Sequence, residues 1–147
     1  MNRQNKLQLS SLFFALVFSG SAVADTNTYH AKDFKNSVSL QGINKVTARV
    51  SSLEVRKDDK MNFGNLEVQL VKCWQAPPEE EPENKALLKI WEQIPGEEKE
   101  EIFFGWMFSS SPALSALEHP VYDIVVKNCV NLDEKEADLA EAKPAKD

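Results

Sequence analysis

The sequence predicts an all-β domain, a compact antiparallel sandwich or small barrel with one short helical turn and one disulfide. Three observations predict it. Apolar and polar residues alternate over short runs, as where Leu66, Val68 and Leu70 are interleaved with Glu67 and Gln69, which is the period of a half-buried strand. Clusters of Gly, Pro and Asp punctuate those runs. The chain carries two cysteines, Cys73 and Cys129, an even count that fits one bridge in an oxidising compartment. Sandwich is the first choice; a half-open antiparallel sheet backed by a turn over Pro112 to Leu117 is the alternative, because periodicity does not set strand order.

Asp25 to Ser39 is polar and reads as a flexible lead-in, with the core beginning near Val38 or Leu40. Lys45 to Val50 alternates, placing Val46, Ala48 and Val50 on one strand face, and the parity slip at Ser51-Ser52 before Leu53 and Val55 suggests a bulge or a sheet change. Lys57 to Lys60 is a turn cluster, and Gly64-Asn65 tolerates positive φ ahead of the strand that ends at Cys73. Gln75 to Asn84, with Pro77, Pro78 and Pro82 among glutamates, is expected to be an exposed loop. It lacks the spaced oxygen ligands and Gly turn of an EF-hand.

Leu87 to Ile94 and Ile102 to Phe108 flank Pro95-Gly96 as a hairpin. The second arm, IFFGWMF, is apolar on both faces, which predicts a central strand covered on both sides, with Gly105 at a bulge or close approach. Trp91 and Trp106 are then core residues. Ser111 and Pro112 open a helical turn with Leu114 and Leu117 on one face, ended by Pro120. Val121 to Asn128 is the closing strand, and the charged segment after it reads as a tail.

Arg3 and Lys6, the apolar stretch Leu7 to Phe18 and Ala22-Val23-Ala24 form a secretory signal cleaved after Ala24, since the apolar run is too short to cross a bilayer. No cysteine follows it to accept a lipid. The organisation is therefore residues 1–24 signal, 25–39 lead-in, 40–130 a single β-rich domain and 131–147 a charged, disordered tail. The expected address is the periplasm, with no membrane span after cleavage. Net charge is −6 over the full chain and more negative once the signal leaves, which argues against nucleic acid or anionic lipid as partners. A bridge from Cys73 to Cys129 contributes about 4 kcal/mol by constraining the unfolded chain.

No enzymatic constellation stands out. Ser109, Ser110 or Ser111 with His119 and Asp123 supplies triad residue types, but without a GxSxG turn. No pair of glutamates is singled out as a glycosidase would need. His30 and His119 do not make a zinc site, and there is no glycine-rich phosphate loop. No cofactor is expected. Candidate binding residues are Phe103, Trp106 and Phe108, as a groove, and His119, Tyr122 and Asp123, in the polar stretch Glu118 to Asp123. That stretch reads first as a fixed corner and second as a recognition edge.

GWMFSSSPALSALEHPVYDIVVKNC from Gly105, together with NKVTARV from Asn44, FGNLEVQLVKC from Phe63 and PPEEEPEN from Pro77, resembles an alphaproteobacterial exported-protein family catalogued only as a domain of unknown function. The resemblance covers roughly residues 40 to 130. It implies an exported single-domain envelope protein with Cys73 and Cys129 paired, and it carries over no catalytic residues. The expected function is a non-enzymatic periplasmic module that binds or scaffolds a cell-envelope protein, by strand addition at a sheet edge. The alternative is a small-ligand or glycan-binding carrier using an aromatic groove.

Overall fold

The computed structural model describes residues 29–133. The predicted signal, the start of the lead-in and most of the tail lie outside them. Among the described residues the strands are β1 (Phe34–Lys35), β2 (Ser37–Asn44), β3 (Arg49–Arg56), β4 (Lys60–Phe63), β5 (Leu66–Gln75), β6 (Asn84–Glu92), β7 (Glu100–Phe108) and β8 (Tyr122–Val130). Short 3-10 turns occupy Ala31–Asp33 and Pro112–Ser115. The strands pair antiparallel in two sheets. The larger runs β1-β5-β6-β7, with β4 sharing one edge of β5 with β1, and the smaller runs β3-β2-β8. The predicted sandwich is the fold.

Its core lies between the two inner faces, where Val38 and Leu40 of β2 and Val126 of β8 join Leu66, Val68 and Leu70 of β5 and Leu88 and Ile90 of β6 in one buried cluster. A disulfide links the sheets, Cys73 of β5 to Cys129 of β8, with an S–S distance of 1.97 Å. Strict alternation would point both cysteines outward, since the inward residues before them are Leu70 and Val126, at the opposite parity. Each strand absorbs one extra residue. Val71 is skipped in the pairing of β5 with β6, and Lys127 in that of β8 with β2. A bulge resets which face a side chain takes, so both sulfurs enter the core.

Several local expectations are corrected. Residues 45–48 are a hairpin turn rather than a strand: Asn44 Oδ1 accepts from the N–H groups of Val46 and Thr47, both at 3.0 Å, and Ala48 has φ +53°. Such an Asx turn outcompetes a short alternation that has nothing to pack on; Val46 and Val50 are exposed. β3 pairs with β2 without interruption, so Ser51-Ser52 carries no bulge.

Residues 31–39, placed in a flexible lead-in, are ordered, with Ser37 and Val38 fully buried. Asn36 holds them. Its N–H donates to Asn131 Oδ1 and its Oδ1 accepts from Leu132 N, both at 3.1 Å, which also draws Leu132 into the core edge. Leu114 and Leu117 do not share a face, because the chain turns extended at Ala116; Leu114 is exposed and Leu117 buried.

The largest correction concerns β7. It is an edge strand, paired among the described residues with β6 alone, and its bulge falls at Ile102, not at Gly105. That bulge lets Ile102 and Phe103 both pack against the core while Phe104 and Trp106 remain exposed. Gly105 does mark a close approach, since a Cβ there would sit 3.3 Å from the Phe103 ring.

Candidate functional site

The structure separates the candidate binding residues into three places. Phe103 belongs to the core margin. Trp106 and Phe108 lie on the outer face of the larger sheet. His119, Tyr122 and Asp123 form the corner that starts β8. No single groove gathers them.

The corner is built as architecture. His119 is buried, and its Nδ1 accepts from Val121 N at 3.2 Å and Tyr122 N at 3.0 Å. Nδ1 must then be unprotonated, and Nε2–H donates to Glu92 Oε1 at 3.0 Å. The imidazole stacks on Tyr122, with ring centroids 5.3 Å apart. Tyr122 in turn packs edge-on to Phe63 and fills the space against Gly64, where a Cβ would meet its hydroxyl at 2.2 Å. Asp123 Oδ1 accepts from Ile124 N at 2.9 Å. Ser109 and Ser110 donate their hydroxyls to Glu83, not to His119. The triad residue types are thus bonded elsewhere.

Glu83 was not singled out from sequence, yet it organises the end of the proline loop. It accepts from the N–H and hydroxyl of Ser109, from the N–H and hydroxyl of Ser110, and from Asn84 N. Burial pushes its carboxyl up, but the hydrogen bonds from Ser110, Ser109 and Asn84 outweigh that and hold it below the ordinary carboxylate value.

The outer face of the larger sheet is the exceptional surface. Ala86, Leu88 and Ile90 of β6 point inward, so Lys85, Leu87, Lys89 and Trp91 point outward, beside Phe104, Trp106 and Phe108 of β7 and Trp74 of β5. All three tryptophans of the chain, Trp74, Trp91 and Trp106, lie on this face. Both Trp91 and Trp106 were expected in the core; the second sheet packs on the inner face only, and both tryptophans stand on the outer one.

Lysine ammoniums sit over these rings. Lys60, Lys89 and Lys99 lie 4.7, 4.9 and 5.2 Å from the Trp91 centroid, and Lys85 lies 4.5 Å from that of Trp74. Cations placed over aromatic faces are attracted by the ring quadrupole. Lys60 and Lys99 also bind Glu67, whose carboxyl is held low by those two partners. Lys89 binds Glu101 at 2.7 Å. Toward one end of the face Tyr29, Phe34, Trp74, Lys85, Trp106 and Phe108 bound an apolar trough of about 320 Å³. The alternation of Lys85, Leu87, Lys89 and Trp91 against Ala86, Leu88 and Ile90 is the sequence signal from which this face was legible.

A wider hollow of about 530 Å³ runs under the proline loop, between Lys32, Lys35, Pro77 and Glu83. Its walls carry charges of both signs. Among the described residues no group of three or more His, Cys, Asp or Glu is placed to hold a metal ion, and no helix is long and apolar enough to cross a membrane.

Residues 38–129 match the family described as "Uncharacterized protein conserved in bacteria (DUF2155)". An uncharacterized protein of Rickettsia prowazekii (strain Madrid E) is 35% identical over 105 residues, covering 70% of this chain and 67% of that protein. No solved structure matches.

Proposed function

The chain belongs to this family of uncharacterized bacterial proteins, and on that premise we propose that it is an exported, non-enzymatic module that docks an extended segment of a cell-envelope protein onto β7. The observation that carries the reading is β7 itself. It is nine residues long, is paired on one side among the described residues, and has no proline or lysine. Natural edge strands are normally blunted by such residues, by bulges, by covering or by shortness, because an open row of N–H and C=O groups recruits another strand; the bulge of β7, at Ile102, lies near its start and leaves Phe103 to Phe108 in regular register. Phe104 and Trp106, 61% and 37% exposed, give an added strand apolar side chains to pack on. The charged residues of β7, Glu100 and Glu101, stand at its start.

The export half of the reading rests on the residues that form the predicted signal, and the periplasm is the compartment in which a Cys73–Cys129 bridge is maintained. The test is site-specific photocrosslinking in the native envelope, with the probe at Phe104 and, as control, at Glu54 on the exposed edge of the other sheet. An envelope protein captured reproducibly at Phe104 and not at Glu54 supports strand docking at β7. Equal capture at both positions, or none at either, overturns it.

A further inference from the structure

The trough at the end of the aromatic face carries a second site that strand docking does not require. Four lysines stand over rings on this face, and three of them are paired with a carboxylate: Lys60 and Lys99 share Glu67, and Lys89 takes Glu101. Lys85, between Trp74 at 4.5 Å and Tyr29 at 5.7 Å, has no carboxylate partner among the described residues. A half-buried cation surrounded by rings is partly desolvated and strengthens any charge-assisted hydrogen bond offered to it. A second unmet polar group lies in the same wall. The indole Nε1 of Trp74, a residue only 6% exposed, is buried without an acceptor, although buried donors are ordinarily bonded. Tyr29, edge-on to Trp74 and more than half exposed, bounds the trough beside it.

The shape selects the class of anion. At about 320 Å³ the trough is at the small end of ligand sites, and two of its walls, Phe34 and Trp106, are each 37% exposed. An alkyl chain or aromatic acid laid there would stay half in water. A pyranose does not have that difficulty, because it presents a C–H face to rings and keeps hydroxyls toward solvent. We propose that Tyr29, Phe34, Trp74, Lys85, Trp106 and Phe108 form a binding site for a carboxylate-bearing sugar, with the pyranose face on the rings and the carboxylate on the Lys85 ammonium.

The experiment titrates the processed protein with trigalacturonate, with galactotriose as the neutral counterpart and acetate as the bare carboxylate. Binding is read by calorimetry and by the three indole N–H signals in NMR. Saturable binding of trigalacturonate is expected to shift the Trp74 and Trp106 signals and to leave Trp91 in place. Galactotriose and acetate are each expected to bind at least about tenfold more weakly. Lys85→Met is expected to remove the preference for the acidic trisaccharide, whereas Lys127→Met, which removes an exposed lysine on the smaller sheet, leaves it unchanged. An unshifted Trp74 signal, acetate competing as well as trigalacturonate, or equal loss in both lysine variants overturns the proposal. None of these readouts involves the Phe104 crosslink, so either reading can fail without the other.

Discussion

Glu83 is the residue on which the most local order converges, since one carboxylate satisfies donors from Asn84, Ser109 and Ser110 and thereby joins the start of β6 to the segment leaving β7. Replacing it with Gln keeps the shape but turns an amide N–H₂ toward donors. Glu83→Gln is expected to cost about 1–2 kcal/mol at neutral pH. The sign of the pH dependence follows from the depressed carboxyl. The contribution is fully present above the pKa of the unfolded chain and is lost as pH falls through the lower, folded value. Thermal melts of the wild type and Glu83→Gln at pH 7 and pH 3 should therefore converge at the acid end, and a constant gap would separate the stabilisation from the charge. Gly64 offers a second single-residue test. Its φ of +61° disfavours a side chain, and a Cβ would strike the Tyr122 hydroxyl. Gly64→Ala is expected to lower stability by more than about 1 kcal/mol in denaturant titrations. The positive φ was legible from Gly-Asn between two strand patterns. The Tyr122 contact was not, because it joins residues far apart in sequence.

At the scale of elements, what the sequence conveyed depended on whether an apolar pattern had a single cause. β5 and β8 were legible as strands because their alternation reflects one buried face. β7 was misread because IFFGWMF merges two causes: a bulge that turns both Ile102 and Phe103 to the core, and an uncovered outer face bearing Phe104, Trp106 and Phe108. Run length alone does not distinguish a strand covered on both sides from an edge strand with an exposed apolar face. The same blindness to bulges hides how the disulfide forms, since parity aims both cysteines outward until Val71 and Lys127 are skipped. The bridge closes a sequence separation of 56 residues between the two sheets. Removing it by Cys73→Ala with Cys129→Ala is expected to cost about 4 kcal/mol by loop entropy. Calorimetry of the double variant against the disulfide-bonded wild type checks this, and an unchanged melting temperature would mean that the core alone fixes the two sheets. Non-reducing peptide mapping of the purified protein should recover Cys73 joined to Cys129.

On the whole molecule, an acidic chain gathers lysines over the rings of one sheet face. The chain carries −6 overall, yet Lys60, Lys85, Lys89 and Lys99 gather over the rings of one sheet face. Net charge, the only electrostatic quantity composition offers, averages that gathering away, and so the lysine-aromatic face was invisible at the level of totals. The limits of the folded unit were misplaced for a related reason. Polar residues at both ends read as lead-in and tail, but Asn36, Asn131 and Leu132 satisfy one another across the fold, with Leu132 only 7% exposed. Such a clasp has no periodicity and needs both ends at once. It divides the C-terminal segment sharply. A chain ending after Asp133 keeps the clasp and is expected to unfold with unchanged cooperativity and midpoint. A chain ending after Val130 loses the Asn131 acceptor and the burial of Leu132, about 2–3 kcal/mol together, and opens the hollow that Leu132 lines with Val55 and Met61. Urea titrations of the two truncations decide it: equal midpoints would show that the clasp is idle, and a lower midpoint confined to the shorter chain would place the boundary of the domain at Leu132.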